Sequence, residues 1–144
     1  MKVLVRPVRK GDWKRVLAIE DTLLNPWDMQ DHREFLHPDR NCTYVATDGR
    51  EVFGFVSATV MPGYVLVERL AVAEEYRVCG VGRGLLDSLE HWFATDRCRQ
   101  IQCVVSEYAV ATQVFLRACG WKWVKSVRWG DEGEEYLMVK EFKR

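Results

Sequence analysis

Three strand-like runs stand almost end to end in the middle of this chain: TYVAT (43–47), EVFGFVSATV (51–60) and YVLVERLAV (64–72). Only Asp48-Gly49 and Pro62-Gly63 mark the turns between them. Connections this short join antiparallel neighbours, because a parallel partner needs a crossover of a dozen or more residues. The chain is therefore committed to an antiparallel meander before residue 73. Directly afterwards the period changes. Val81, Leu85, Leu89, Trp92 and Phe93 recur at helical spacing, immediately behind the glycine-rich stretch Arg77 to Gly84.

The flanks complete the pattern. Val3 to Arg6 reads as a short strand, and Gly11-Asp12 opens a helix carrying Trp13, Val16, Leu17, Leu23 and Leu24, stopped by Asn25-Pro26. Asp28 can cap a second short helix with Phe35 and Leu36 before Pro38, leaving Trp27 at the elbow between the two. Toward the C-terminus, RQIQCVV (99–105) reads as a buried strand and AVATQVFLRACG (109–120) as a helix closed by Gly120. WKWVKSVRW (121–129) and EEYLMVKEF (134–142) then form a hairpin across Gly130 to Gly133. The order predicts an α+β fold: one mixed, mostly antiparallel sheet of about seven strands, flanked by about four helices. At 144 residues, positions 1–144 are expected to form a single domain.

Composition narrows the partners. Twenty-one Lys and Arg balance twenty-one Asp and Glu, so no global field draws the chain onto nucleic acid or an anionic membrane. Local groups must hold any anion. No apolar run approaches the roughly 20 residues of a membrane span, and MKVLVRPVRKGD breaks its apolar stretch with charge, unlike a signal peptide. Cys42, Cys79, Cys98, Cys103 and Cys119 are an odd set without a CxxC pair, which reads as reduced thiols in the cytoplasm. His32, His37 and His91 lack metal-ligand spacing, so no metal is expected. Monomer and homodimer both stay open.

The glycine stretch carries the chemistry. Arg77-Val78-Cys79-Gly80-Val81-Gly82-Arg83-Gly84 lies between a strand and a helix, so free backbone N–H groups and the positive end of the helix dipole face the loop. That is an anion cradle. Gly80 and Gly82 let backbone approach a phosphate, and Arg77 and Arg83 can add charge-assisted contacts. A pyrophosphate is the expected guest. The loop has no GK[ST] ending and lacks GxGxxG spacing, and it follows a meander rather than the first strand of a βαβ repeat, which excludes the common nucleotide loops. The other reading is a glycine turn that only lets helix pack on strand.

Arg69-Leu70-Ala71-Val72, followed by Glu75-Tyr76 and the loop through Leu85-Leu86, resembles the strand, the [RQ]xxGxG[AG] pyrophosphate loop and the following helix of the GNAT superfamily of acetyl-CoA-dependent N-acetyltransferases. The order of elements agrees over nearly the whole chain. Asn25-Pro26-Trp27 with Phe35 is similar to the elbow of the RimI-type branch, whose members acetylate the N-terminal amine of a ribosomal protein. The resemblance implies that Leu70, Ala71 and Val72 pair with the pantetheine arm and that residues 77–84 hold the pyrophosphate. It also implies a thioester lying where the strands of Leu70 and Cys103 splay apart. The implied reaction is transfer of acetyl from acetyl-CoA to a primary amine, with a protein N-terminus or lysine favoured, by direct attack in a ternary complex. A catalytically silent acyl-CoA-binding sensor or partner-binding module is the alternative.

Proton transfer is the harder question. An attacking amine must be neutral, and reference pKa values of roughly 8 for an α-amine and 10.4 for Lys call for a base or a water chain. The departing thiolate calls for an acid such as Tyr. The pattern of RimI-like relatives places its base, a cofactor-contacting Asn and its acid at Val104, Ala109 and Leu116, none of which can do that work. Nearby substitutes are Glu68 as base, with Glu107 and Tyr108 at the end of the Cys103 strand. The competing readings are a solvated charge balancing Arg69 and an amphipathic Tyr covering the core. Cys79, a thiol between two arginines, is not expected to act as a nucleophile, since direct transfer needs no acyl-enzyme and no His supports it. The tryptophans read as packing, except Trp27, which lies where acceptor-binding loops occur in the family.

Overall fold

The computed structural model describes residues 2–77, 79–128 and 133–143. Its strands are β1 (Leu4–Pro7), β2 (Asn41–Thr47), β3 (Val52–Met61), β4 (Gly63–Val72), β5 (Cys98–Ser106), β6 (Lys122–Arg128) and β7 (Glu134–Glu141). Its helices are α1 (Trp13–Glu20), α2 (Met29–Phe35), α3 (Val81–Phe93) and α4 (Val110–Ala118), with single 3-10 turns at Lys10–Asp12 and Glu74–Tyr76. The strands form one sheet in the order β1-β2-β3-β4-β5-β7-β6. Every neighbouring pair is antiparallel except β4 with β5. This is the expected α+β architecture, with the meander as β2 to β4. The turn expected at Gly130 to Gly133 lies mostly outside the described residues.

Local chemistry sets the helix limits. α2 starts where Asp28 was expected to cap it: the Asp31 amide donates to Asp28 Oδ1 and the Asp28 amide to Asp31 Oδ2, both at 2.9 Å. α1 stops at Glu20, earlier than Asn25-Pro26 would require, so Leu23 and Leu24 lie beyond it. The Thr22 hydroxyl donates to the Ile19 carbonyl at 2.7 Å while its own amide reaches the same carbonyl at 3.1 Å, which ends the helix in a turn.

Two apolar layers cover the sheet. On one face, Leu85 and Leu89 of α3 and Leu116 of α4 pack on Val56, Val65, Val67, Ile101, Val105 and Met138. On the other, Val16 and Ile19 of α1 pack on Val45, Phe55 and Ala71. Trp92, expected in the buried seam of α3, is instead 42% exposed and stacks on Tyr44 with ring centroids 4.6 Å apart. Leu86 takes the buried place.

The feature that positions the site is a bulge. Opposite β3, Val67 pairs with Ala58 and Arg69 with Ser57, so Glu68 is an extra residue in β4. The alternation of faces slips there: Val65 and Val67 meet the α3 layer before the bulge, whereas Leu70 and Val72 meet it afterwards. The parallel ladder with β5 ends at the same point, at Val67 with Cys103. β4 continues to Val72 and β5 to Ser106, but β5 is paired only with β7 from there on. The two central strands splay. Deleting Glu68 would place Val67 and Arg69 in unbroken register opposite Ala58 and Ser57, letting β4 and β5 pair beyond Cys103. The amides of Leu70 and Val72 should then become protected in hydrogen exchange; equal exchange in both proteins would separate the splay from the bulge.

Candidate active site

The open edge of β4 follows from hydrogen-bond parity. The Ala73 amide donates to the Phe53 carbonyl at 2.8 Å, and alternation then places Ala71 with Phe55 and Arg69 with Ser57 in bonded pairs. The N–H and C=O groups of Leu70 and Val72 therefore face the gap toward β5. Ala71, grouped with them in the sequence reading, spends its polar backbone on β3. The Val72 carbonyl accepts from Arg77 Nε at 3.1 Å, which fastens the loop to the end of the strand.

The glycine loop ends in a bare helix start. α3 begins at Val81 behind Gly80, whose φ of 78° is left-handed and suits glycine; no side chain caps the helix and its first turn carries no acid. Among the described residues, the amides of Gly80, Val81, Gly82 and Arg83 have no acceptor, while Gly84 donates to the Gly80 carbonyl at 3.0 Å. Unsatisfied N–H groups with an unopposed dipole attract an anion. Gly82 has a different reason for lacking a side chain than the one expected: a Cβ there would lie 2.9 Å from Phe115 Cζ, so the space belongs to α4 rather than to a phosphate. Arg83 is also turned to α4, donating to the Ala118 carbonyl at 3.1 Å. Cys79 is exposed, its amide bonded to the Tyr76 carbonyl at 3.2 Å. Val78 lies outside the described residues.

Glu68 stands on the bulge at the mouth of the gap. Its side chain reaches solvent, yet crowding by protein atoms pushes its carboxyl above the usual range, with Arg69 pulling the other way. Burial, with the Glu68 charge added, pushes the Cys103 thiol up to about 12, so Cys103 stays protonated and is no nucleophile at neutral pH. Glu107 and Tyr108 are further away: Glu107 stands four positions beyond Cys103, about 13 Å along an extended strand. Its amide extends the β5–β7 ladder to the Glu134 carbonyl at 3.0 Å. Tyr108 is 70% exposed, and the adjoining Glu107 carboxylate raises its hydroxyl above the ordinary value. The structure thus places Glu68 apart from the Glu107–Tyr108 pair. Val104 is half-buried opposite Leu137, Ala109 precedes α4, and Leu116 is core at 1% exposure.

One cluster escaped the sequence reading. Glu20 is fully buried at the end of α1, with Arg69 of β4 on one side and His32 of α2 on the other. Arg69 Nε lies 3.3 and 3.2 Å from the two carboxylate oxygens, and its Nη2 bonds Oε2 closely. His32 Nε2 is 3.1 Å from Oε1 but is poorly aligned as a hydrogen bond, so the contact is one of proximity within a shared pocket. Burial raises the Glu20 carboxyl, but His32 and Arg69 together outweigh it and hold the group below the usual range. Trp27 completes the cluster, its ring 5.0 Å under the Arg69 guanidinium and 5.2 Å from His32. Arg69 is therefore the partner of Glu20, and Glu68 is not its hydrogen-bonded counter-charge. The clue in the sequence was Glu20 itself, an acid in line with Val16 and Ile19 on an apolar helix face.

A concavity of about 840 Å3 lies elsewhere, lined by Arg83, Asp87, Lys122, Lys140 and Glu141 among others; its mixed charges mark a solvated surface rather than the gap. Among the described residues, no group of three His, Cys, Asp or Glu is placed to hold a metal, and no helix is long and apolar enough to cross a membrane.

The chain is similar to known proteins in sequence family and in fold. The family model of the acetyltransferase (GNAT) family matches residues 13–121. The fold is that of Ard1 from Thermoplasma volcanium, at 18% identity and a TM-score of 0.85, covering 99% of both chains. It is equally that of NAA60 from Arabidopsis thaliana in complex with a bisubstrate analogue, at 16% identity and a TM-score of 0.83, covering 97% of this chain and 98% of that one. The ribosomal-protein-S18-alanine N-acetyltransferase from Escherichia coli matches at 17% identity with a TM-score of 0.82, covering 99% of this chain and 96% of that one. No curated protein matches the sequence. The chain belongs to the GNAT family of acetyltransferases. It is an acetyl-CoA-dependent N-acetyltransferase, with acetyl-CoA as co-substrate.

Three substitutions test these contacts. Gly82→Ala should cost about 1 kcal/mol in urea unfolding by pressing on Phe115, and Phe115→Leu in the same chain should recover most of it. Glu20→Gln should cost about 3 kcal/mol at pH 7 by leaving Arg69 without its charge partner. Because the folded Glu20 pKa is lowered, its contribution is present above the unfolded value of about 4.3 and is lost as pH falls further. The difference between wild type and Glu20→Gln should therefore shrink in acid; a constant difference would deny that Glu20 is charged in the fold.

Proposed function

We propose that the chain transfers acetyl from acetyl-CoA to a primary amine, a protein N-terminus or lysine being favoured, by direct attack in a ternary complex. The observation that carries this reading is the splay of β4 from β5 at Glu68, which leaves the amides of Leu70 and Val72 unpaired on the way to the bare start of α3. Those features suit an extended arm ending in a diphosphate: the β4 edge pairs with the arm, and the amides of Gly80 to Arg83 take the diphosphate. Arg77, Cys79 and Gly84 border that cradle, and Val78, expected with them from the sequence, lies outside the described residues. The NAA60 and Naa50 structures in complex with bisubstrate analogues support an amine-bearing acceptor.

Glu68 is the base. A carboxyl held above its usual range takes a proton from an ammonium more readily than an ordinary Glu, and the bulge places it beside the last pair of the β4–β5 ladder. The amine gives up its proton to Glu68 and bonds the acetyl carbon; the carbon–sulfur bond breaks, and the thiolate must gain a proton. Tyr108, whose hydroxyl stays protonated at neutral pH, is the proposed donor, with Glu107 holding it. Gap-facing amides are the donors available to the carbonyl oxygen as charge develops. Residues 1–144 act as one catalytic unit, as monomer or homodimer. The free cysteines support a cytoplasmic setting, and no nucleic acid or membrane is invoked.

The second reading, a silent acyl-CoA-binding module, draws on Val104 and Leu116, apolar where base and acid stand in RimI-like relatives. Release of free CoA separates the two when purified protein is given acetyl-CoA with free-amine peptides, lysine peptides and spermidine. Turnover supports transfer; tight binding without turnover supports the silent module. Wild-type rate should rise through an inflection above the ordinary Glu value of about 4.3. Glu68→Gln should lower the rate by a factor of about 100 and remove that inflection. An unchanged pH profile would take Glu68 out of the role.

A further inference from the structure

Among the described residues, the elbow between α1 and α2 donates backbone hydrogen bonds only at its start, where the Thr22 and Leu23 amides reach the Ile19 and Glu20 carbonyls. Among the described residues, Leu24, Asn25 and Trp27 donate no backbone hydrogen bond, Pro26 has no amide to give, and Asn25 turns through a left-handed φ of 52°. What fastens it is one side chain from β4. Arg69 Nη2 donates to the Asn25 carbonyl at 3.3 Å while the guanidinium lies over the Trp27 ring. The same group is locked from behind by Glu20, which has no exposure to water. Trp27 then passes the restraint on to Phe35 of α2, with ring centroids 5.2 Å apart.

Arg69 is also the residue between Glu68 and Leu70, hence between the bulge and the first gap-facing amide. The diphosphate cradle lies at the start of α3 and so on the α3 face of the sheet, which leaves the α1 and α2 face for the second substrate. An amine entering from that face meets the elbow. We propose that Arg69 is a positioning residue for the acceptor: it holds the Thr22–Trp27 elbow against the mouth of the gap, acting through Trp27 and the Asn25 carbonyl. This rests on the site proposed above. Only an arginine fits the role, because a planar fork can bond a carboxylate and a carbonyl while stacking on an aromatic face, and a lysine ammonium cannot do all three.

The test uses the full chain and its Arg69→Lys variant, which keeps the charge beside Glu20. Losing a charge-assisted bond corresponds to a factor of about ten. Hydrogen exchange of the bonded elbow amides, Thr22 and Leu23, should therefore quicken by about that factor, with exchange at Leu70, Val72 and the start of α3 unchanged. With the fastest acceptor from the panel of free-amine peptides, lysine peptides and spermidine, acceptor KM should rise by a similar factor. Both kcat and the affinity for acetyl-CoA should stay within about twofold. Trp27→Leu, which leaves the Glu20–Arg69 pair intact, should raise KM likewise, and combining the two should add little. Unchanged elbow exchange, or a loss confined to kcat or to acetyl-CoA affinity, overturns the assignment. If the wild type turns over no acceptor, the proposed reaction fails, and hydrogen exchange alone still decides whether Arg69 holds the elbow.

Discussion

β4 and β5 are the only parallel neighbours in the described sheet, and their pairing ends at Val67 and Cys103, where Glu68 shifts β4 against β3. A strand that keeps one partner and drops the other has a row of unspent backbone groups on its free side. In most sheets such an edge is a liability. Here it lies inside the molecule, between strands that remain anchored by β3 and by β7, so the gap is held open without a loop or a lid. The extra residue also moves Leu70 and Val72 onto the α3 face, aligning the open edge with the helix whose first-turn amides find no acceptor among the described residues.

Backbone, more than side-chain charge, makes this site attractive to an anion. The chain has no net charge. The two arginines of the glycine loop are partly engaged, Arg77 with the Val72 carbonyl and Arg83 with that of Ala118. They serve as fasteners that join the loop to β4 and α3 to α4. An uncapped helix start with no acid in its first turn is then the main source of positive potential. Gly82 contributes by letting Phe115 approach, which holds α4 against the helix start.

How far the sequence could be read depends on the range of each interaction. The meander, the period change at Val81 and the glycine loop are local patterns, and the structure has them where the residues place them. The helix limit at Glu20 turned on a Thr22 hydroxyl, still local but easily missed beside the stronger signal of Asn25-Pro26. The bulge belongs to the register between two strands, and nothing in VERLAV alone announces which residue is extra. The role of Gly82 needed Phe115, far along the chain. Glu20, His32 and Arg69 come from three elements and meet only in the folded state; an acid on the apolar face of α1 was their single local trace.

With Val104 on β5 and Leu116 in the core, groups able to move protons near the gap are scarce, and the working surface contracts onto one stretch of β4. Residues 68–72 offer a carboxyl with a raised pKa at the bulge, two gap-facing amides, and on the opposite face the arginine that fixes the elbow. Concentrating these on consecutive residues has a physical consequence. A shift of β4 along β3 would displace the proposed base, donors and acceptor wall together, keeping their mutual geometry, whereas the proposed acid Tyr108, beyond β5, would change its distance from them whenever the splay opened or closed. In a site built this way, motion of β5 leaves the proposed base and the gap-facing amides in register on β4 and alters only the approach of Tyr108, the proposed acid, which stands just past the end of β5.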